Sequence, residues 1–179
     1  PSEDGWDDCH ICDPDVREFK CSYKGDEYDY IMTYLGVDQW DCNHNQIGLA
    51  FSKSLDGPWT KFDQNPLVSF ERTDRWGVGQ STSVVLDENS IRLFYHKSGE
   101  KGEHMVSRDI ALKDLDHIVL GPEKIIPGII PNAYFSYSEN YIYVVSEVRI
   151  DMSDEIPTWV GNYSRFARMP IGNDIYSGE

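Results

Sequence analysis

Two carboxylates stand out as candidates for chemistry. Asp13 precedes Pro14 at the head of an apolar stretch, and Glu147 ends a tyrosine-rich stretch, with Arg149 two residues on. A pair of carboxyl groups flanking an acetal can cleave it. One activates water or attacks carbon, and the other protonates the leaving oxygen. Proline disfavours the helical region for the residue before it, so Asp13 is expected in extended backbone, among the first residues of an inner strand with its carboxylate aimed at the mouth of a channel. The plainer alternatives are an Asp-Pro surface turn and a Glu147–Arg149 ion pair.

Polar and aromatic residues near strand ends add candidates for holding a substrate. Asp38 follows a tyrosine-rich stretch, close to Trp40 and His44, and His96 ends another apolar stretch. Trp6, Trp40, Trp76 and Trp159 fall between apolar stretches. An indole face packs well on the C–H face of a sugar ring, and Trp40 and Trp76 sit nearest to strand ends. Gap-filling tryptophans and a structural, hydrogen-bonded His96 are the plainer readings.

Four cysteines lie in the first quarter of the chain: Cys9, Cys12, Cys21 and Cys42. Cys9-His10-Ile11-Cys12 has a C-x-x-C spacing, and His44 follows Cys42 closely, so a zinc site is conceivable. The second C-x-x-C is missing. Buried thiols or a disulfide are expected instead, with no metal and no cofactor. Asn162-Tyr163-Ser164 is an N-glycosylation sequon, relevant only in a eukaryotic secretory route.

The elements that must position these residues read as strands. Period-2 patterning marks Tyr28–Val37, Ile47–Ser54, Ser90–Lys97 and Tyr141–Val148. Clusters such as Asp56-Gly57-Pro58 and Asn65-Pro66 punctuate them. Lys113–His117 is at most one turn of helix. Three similar units emerge, at about residues 11–63, 79–121 and 131–170, each of three or four antiparallel strands. Their openings are Asp13-Pro14, Gln80-Ser81 and Pro131-Asn132. Within a unit, a polar loop leads to an apolar strand, then an aromatic strand, then a polar outer strand. That order favours propeller blades. Strand spacing alone leaves a single β-sandwich open as the alternative.

At these residues the chain resembles the five-bladed β-propeller glycoside hydrolases. Cys12-Asp13-Pro14-Asp15-Val16 is similar to the Asp-Pro opening of their first blade. Ile47-Gly48-Leu49-Ala50-Phe51-Ser52, running on to Gly57-Pro58-Trp59, is similar to an outer-strand signature of family 43 and its relatives, families 32, 62, 117 and 130. Trp76-Gly77-Val78-Gly79-Gln80-Ser81 and Ile130-Pro131-Asn132-Ala133 resemble the second and third blade openings. The sialidase Asp-box does not fit, because Gly57 follows Asp56 at once. The resemblance implies Asp13 as base or nucleophile, and Gln80 and Asn132 at the channel mouth. These families carry a second Asp and an acid Glu. The second Asp lies in a middle blade and the acid Glu after three blades; Gln80 and Asn132, not Asp, stand at the later openings here, and Glu147 is the candidate to replace the acid.

Composition bounds the partners. Against 16 basic residues stand 31 acidic ones, giving a net charge of −15, and no basic patch suited to nucleic acid or an anionic membrane surface. No run approaches the ~20 apolar residues that cross a bilayer. No signal peptide is visible, and secreted and cytoplasmic locations both stay open. The expectation is therefore all-β, one partial propeller domain of about three blades over residues 1–179. Its partner is a carbohydrate, and open blade faces favour self-association. Hydrolysis of a glycosidic bond is the first functional expectation. A non-catalytic sugar-binding propeller, or an inactive fragment of the enzyme, is the alternative.

Overall fold

The computed structural model describes residues 1–100, 102–127, 132–148 and 161–170. They fold into three antiparallel sheets, each built from consecutive strands. The first sheet comprises β1 (His10–Tyr23), β2 (Asp26–Val37), β3 (Gln46–Ser52) and β4 (Thr60–Lys61). In the second, β5 (Val78–Val85), β6 (Ser90–Gly99) and β7 (Gly102–Ala111) run side by side. Two short strands, β8 (Val119–Leu120) and β9 (Lys124–Ile126), share the outer edge of β7. The third holds β10 (Ala133–Ser138), β11 (Tyr141–Val148) and β12 (Tyr163–Pro170). No barrel closes among the described residues.

Tight hairpins make each sheet a meander. Lys24 and Gly25, at φ 52° and 84°, join β1 to β2, and Glu139 and Asn140, at 48° and 67°, join β10 to β11. Two successive left-handed residues are what a type I′ turn requires, and its twist matches the strands it joins. Among the described residues the one helical turn is 3-10, Leu115–His117, capped by the Asp114 carboxylate on the Asp116 amide.

Two apolar layers hold the sheets together, and β6 lies between them. Ile91, Leu93 and Tyr95 pack with Phe19, Ile31, Leu49 and Phe51 of the first sheet. Phe94, from the opposite side of β6, packs with Phe135, Ile142 and Val144 of the third. Side chains alternate across a strand, so a strand buried on both faces serves two cores. Phe94 and Phe135 stack with centroids 4.0 Å apart and planes 7° from parallel. Each such side chain, fully buried, contributes about 1.5–3 kcal/mol.

Three sheets rather than two exclude the simple sandwich. The first strand of each sheet meets the others. Ser83 on β5 donates to Asp15 on β1, and the Thr82 hydroxyl donates to the Phe135 carbonyl on β10 over 3.3 Å. One local expectation fails. Asp13 is not extended but left-handed, at φ 50°. The β1–β2 register slips between Cys12 and Asp15, and this bulge turns the backbone where proline alone would have kept it extended. Pro131, Arg149 and Trp159 lie outside the described residues, as does part of the third expected unit.

Candidate functional site

The first two sheets open with an irregularity in their first strand, and a left-handed residue immediately precedes the first strand of the third. On β1 the slip lies between Cys12 and Asp15, and on β5 between Gly79 and Thr82. The residues there, Asp13 and Gln80, share the left-handed backbone with Asn132, which immediately precedes β10; the three φ values are 50°, 49° and 61°. Asp and Asn enter this region readily, but Gln does not. Such a conformation costs of order 1–3 kcal/mol and persists only where the surroundings impose it. Three repeats of it, at three strand openings, aim three polar side chains at one place.

That place is an open cleft of about 400 Å³, lined by Asp13, Pro14 and Asp15, by Gln80 and Ser81, by Asn132, Ala133 and Tyr134, and by Glu147. Four expected site residues therefore meet: Asp13, Gln80, Asn132 and Glu147. Glu147 reaches it from β11. Its Oε2 accepts hydrogen bonds from Asn132 Nδ2 and from the Gly161 amide, each over 3.0 Å. A Cβ on residue 161 would stand 2.5 Å from the Glu147 Cβ, so only glycine lets this amide approach. Asp13 is exposed, and its Oδ2 lies 3.6 Å from the Cys12 thiol. Burial pushes that thiol up to about 11, and the Asp13 charge adds to the effect.

Beneath the cleft runs a network that ties the strand openings together. Asp15 is buried, and its Oδ2 accepts from the Ser83 amide over 2.9 Å and the Ser83 hydroxyl over 2.6 Å. Its Oδ1 accepts from Arg17 Nη2 over 2.7 Å. The same Nη2 donates to the Tyr134 hydroxyl at 2.8 Å and lies 3.3 Å from Thr82 Oγ1. Burial raises the Asp15 carboxyl, and the Ser83 and Arg17 interactions offset this only in part. Ser81 donates to Thr33 over 3.0 Å, fixing β5 against β2. With both oxygens engaged, Asp15 is placed to hold the site rather than react.

Four other expected residues lie elsewhere. Asp38 accepts from His44 Nδ1, 3.0 Å from each carboxylate oxygen, and His44 Nε2 faces the Phe70 carbonyl over 2.7 Å. Trp40 is 84% exposed and lines no part of the cleft. Trp76 stacks on His96 at 4.5 Å. His96 is buried, with Nε2 2.5 Å from Glu103 Oε2 but poorly aligned for a hydrogen bond. Loss of solvent around this imidazole lowers its pKa, against the Glu103 charge. The sequence places these residues near strand ends, but strand ends have two sides, and only one faces the cleft.

Asp15, Arg17, Ser81 and Tyr134 were missed. A signal was available for two of them. Asp15 and Tyr134 each stand two residues after an opening residue singled out in the sequence, Asp13 and Asn132. The cysteines are free thiols, and among the described residues no group of three or more His, Cys, Asp or Glu side chains is arranged to hold a metal. No protein-family model matches the chain, and no curated protein matches it.

Proposed function

We propose that the three sheets are successive blades of a propeller of the five-bladed glycoside hydrolase type, and that the cleft at their strand openings binds and hydrolyses a saccharide. One observation carries this reading: Asp13 and Glu147, from different sheets, line one open cleft together with the amides of Gln80 and Asn132. Two carboxylates supply the proton transfers that glycosidic cleavage needs. Amide side chains both donate and accept, which suits sugar hydroxyls. In this mechanism Asp13 activates water or attacks the anomeric carbon. Glu147 gives a proton to the leaving oxygen, and Asn132 orients it through the hydrogen bond to Oε2.

The test is reducing-sugar release from arabinan, xylan and mannan, by the unaltered chain and by Asp13→Asn. Release that the variant abolishes supports hydrolysis. A second reading, a sugar-binding propeller without catalysis, is favoured by one observation. Gln80 and Asn132, not Asp, stand at the later openings, whereas the resembled families carry a second Asp in a middle blade. Saccharide binding without release by the unaltered chain assigns that reading, and neither binding nor release rejects both.

A further inference from the structure

We propose that Tyr134 is the platform on which the saccharide stacks and that Arg17 holds it ready; this rests on the saccharide reading of the cleft. Tyr134 lines the cleft two residues after Asn132, and 51% of its surface is open. Its polar tip is nonetheless fixed. Arg17 Nη2 donates to the hydroxyl over 2.8 Å, and the guanidinium carbon stands 5.5 Å from the ring centroid. Arg17 is in turn anchored by Asp15 Oδ1 at 2.7 Å, and Asp15 by Ser83. The chain of contacts runs from β5 through β1 to β10.

An aromatic ring tied at its tip and half exposed has already lost part of the freedom that binding would otherwise remove. Its apolar face complements the C–H face of a pyranose or furanose ring, while Gln80 and Asn132 in the same lining suit the hydroxyls at the ring's edge. Neither exposed Trp40 nor Trp76, stacked on His96, lines the cleft. Tyr134 is the aromatic side chain that does, among the described residues. The ligand class is a neutral sugar presenting an unsubstituted C–H face.

Calorimetric titration with arabinohexaose, xylohexaose and mannohexaose tests this on the 179-residue chain. For the sugar that binds, Tyr134→Ala weakens affinity by about tenfold or more, the loss of one stacking contact. Tyr134→Leu, which keeps apolar bulk but not the flat ring, gives a comparable loss and serves if the alanine variant unfolds. Tyr134→Phe keeps the ring and frees only its tip, so it stays within about threefold. Unchanged affinity in the alanine or leucine variant overturns the platform. So does a phenylalanine variant as weak as alanine, since that assigns the effect to the hydroxyl. If the unaltered chain binds none of the three sugars and releases none, the saccharide reading itself falls, and the platform with it.

Discussion

Asn132 Nδ2 donates to Glu147 Oε2 over 3.0 Å, joining the residue that opens β10 to the penultimate residue of β11. Both line the cleft that holds Asp13. This bond has a chemical consequence, because an amide donor at that oxygen is replaced by repulsion if residue 132 becomes a carboxylate. In Asn132→Asp two carboxylates stand about 3 Å apart and cannot both ionise freely, so one keeps its proton to higher pH. The variant is expected to melt below the unaltered chain at pH 7 and to recover most of the difference as pH falls to about 5. Thermal melts at the two pH values check this. An equal deficit at both would show that the pair is not electrostatically coupled.

Asp13 is exposed, so replacing its carboxylate should leave the fold intact while removing the proposed reaction. Asp13→Asn is expected to lower turnover by roughly three or more powers of ten without shifting the melting temperature appreciably. A folded variant with near-normal turnover would remove Asp13 from the mechanism.

The amino-terminal segment is pinned by Asp7, which is fully buried, 2.6 Å from Lys61 Nζ, and accepts from the Ser2 amide over 3.0 Å. Burial opposes the charge on Asp7, but Lys61 and Ser2 outweigh it, and its carboxyl lies below the usual 3.8. A carboxyl depressed in the folded state adds stability above its unfolded value, and that contribution is lost as pH falls through the folded one. Asp7→Asn should therefore cost about 1–3 kcal/mol at neutral pH, with the gap to the unaltered chain shrinking below about pH 4. Denaturant titrations across pH 3 to 7 measure it. A gap independent of pH would contradict the ionic account.

The Phe94–Phe135 stack joins the second sheet to the third. Phe94→Ala is expected to destabilise the chain by about 3–5 kcal/mol, because it empties a fully buried site between two sheets. Denaturant titration reads the loss, and a value under about 1 kcal/mol would show that the two sheets do not depend on this core.

Register places Val145 beside Phe166 on the third sheet, and both are exposed, at 46% and 64%. Apolar surface of this kind favours burial by a second copy of the chain. Light scattering should find concentration-dependent association that Val145→Ser with Phe166→Ser reduces. A compact monomer at high concentration would contradict this.

Much of the fold was legible because its period is simple. The alternation in Tyr28–Val37 and Tyr141–Val148 specifies strands wherever one face is buried. The cleft was legible in part: Asp13, Gln80, Asn132 and Glu147 belong to strand openings or strand ends, and their order along the chain mirrors the order of the sheets. Asp13 lines the cleft, but its backbone is left-handed rather than extended, because the bulge depends on pairing with β2, which no local rule contains. Arg17 and Tyr134 are 117 residues apart in sequence and meet only because three sheets converge. Trp40 and Trp76 show the complementary failure, since residue type and loop position do not say which way an indole points. Short β9 carries too few residues for any period to be read.

The proposed function requires a saccharide to enter the cleft between the three strand openings. The side-chain amides of Gln80 and Asn132 give their own signals in a nitrogen–proton correlation spectrum, and the Trp40 indole reports on a surface outside the cleft. Titration with the hexasaccharide that binds is expected to shift the Gln80 and Asn132 amide signals together, saturably, and to leave the Trp40 indole in place. Shifts at Trp40 with Gln80 and Asn132 unmoved would put the sugar outside the cleft and overturn the proposed function.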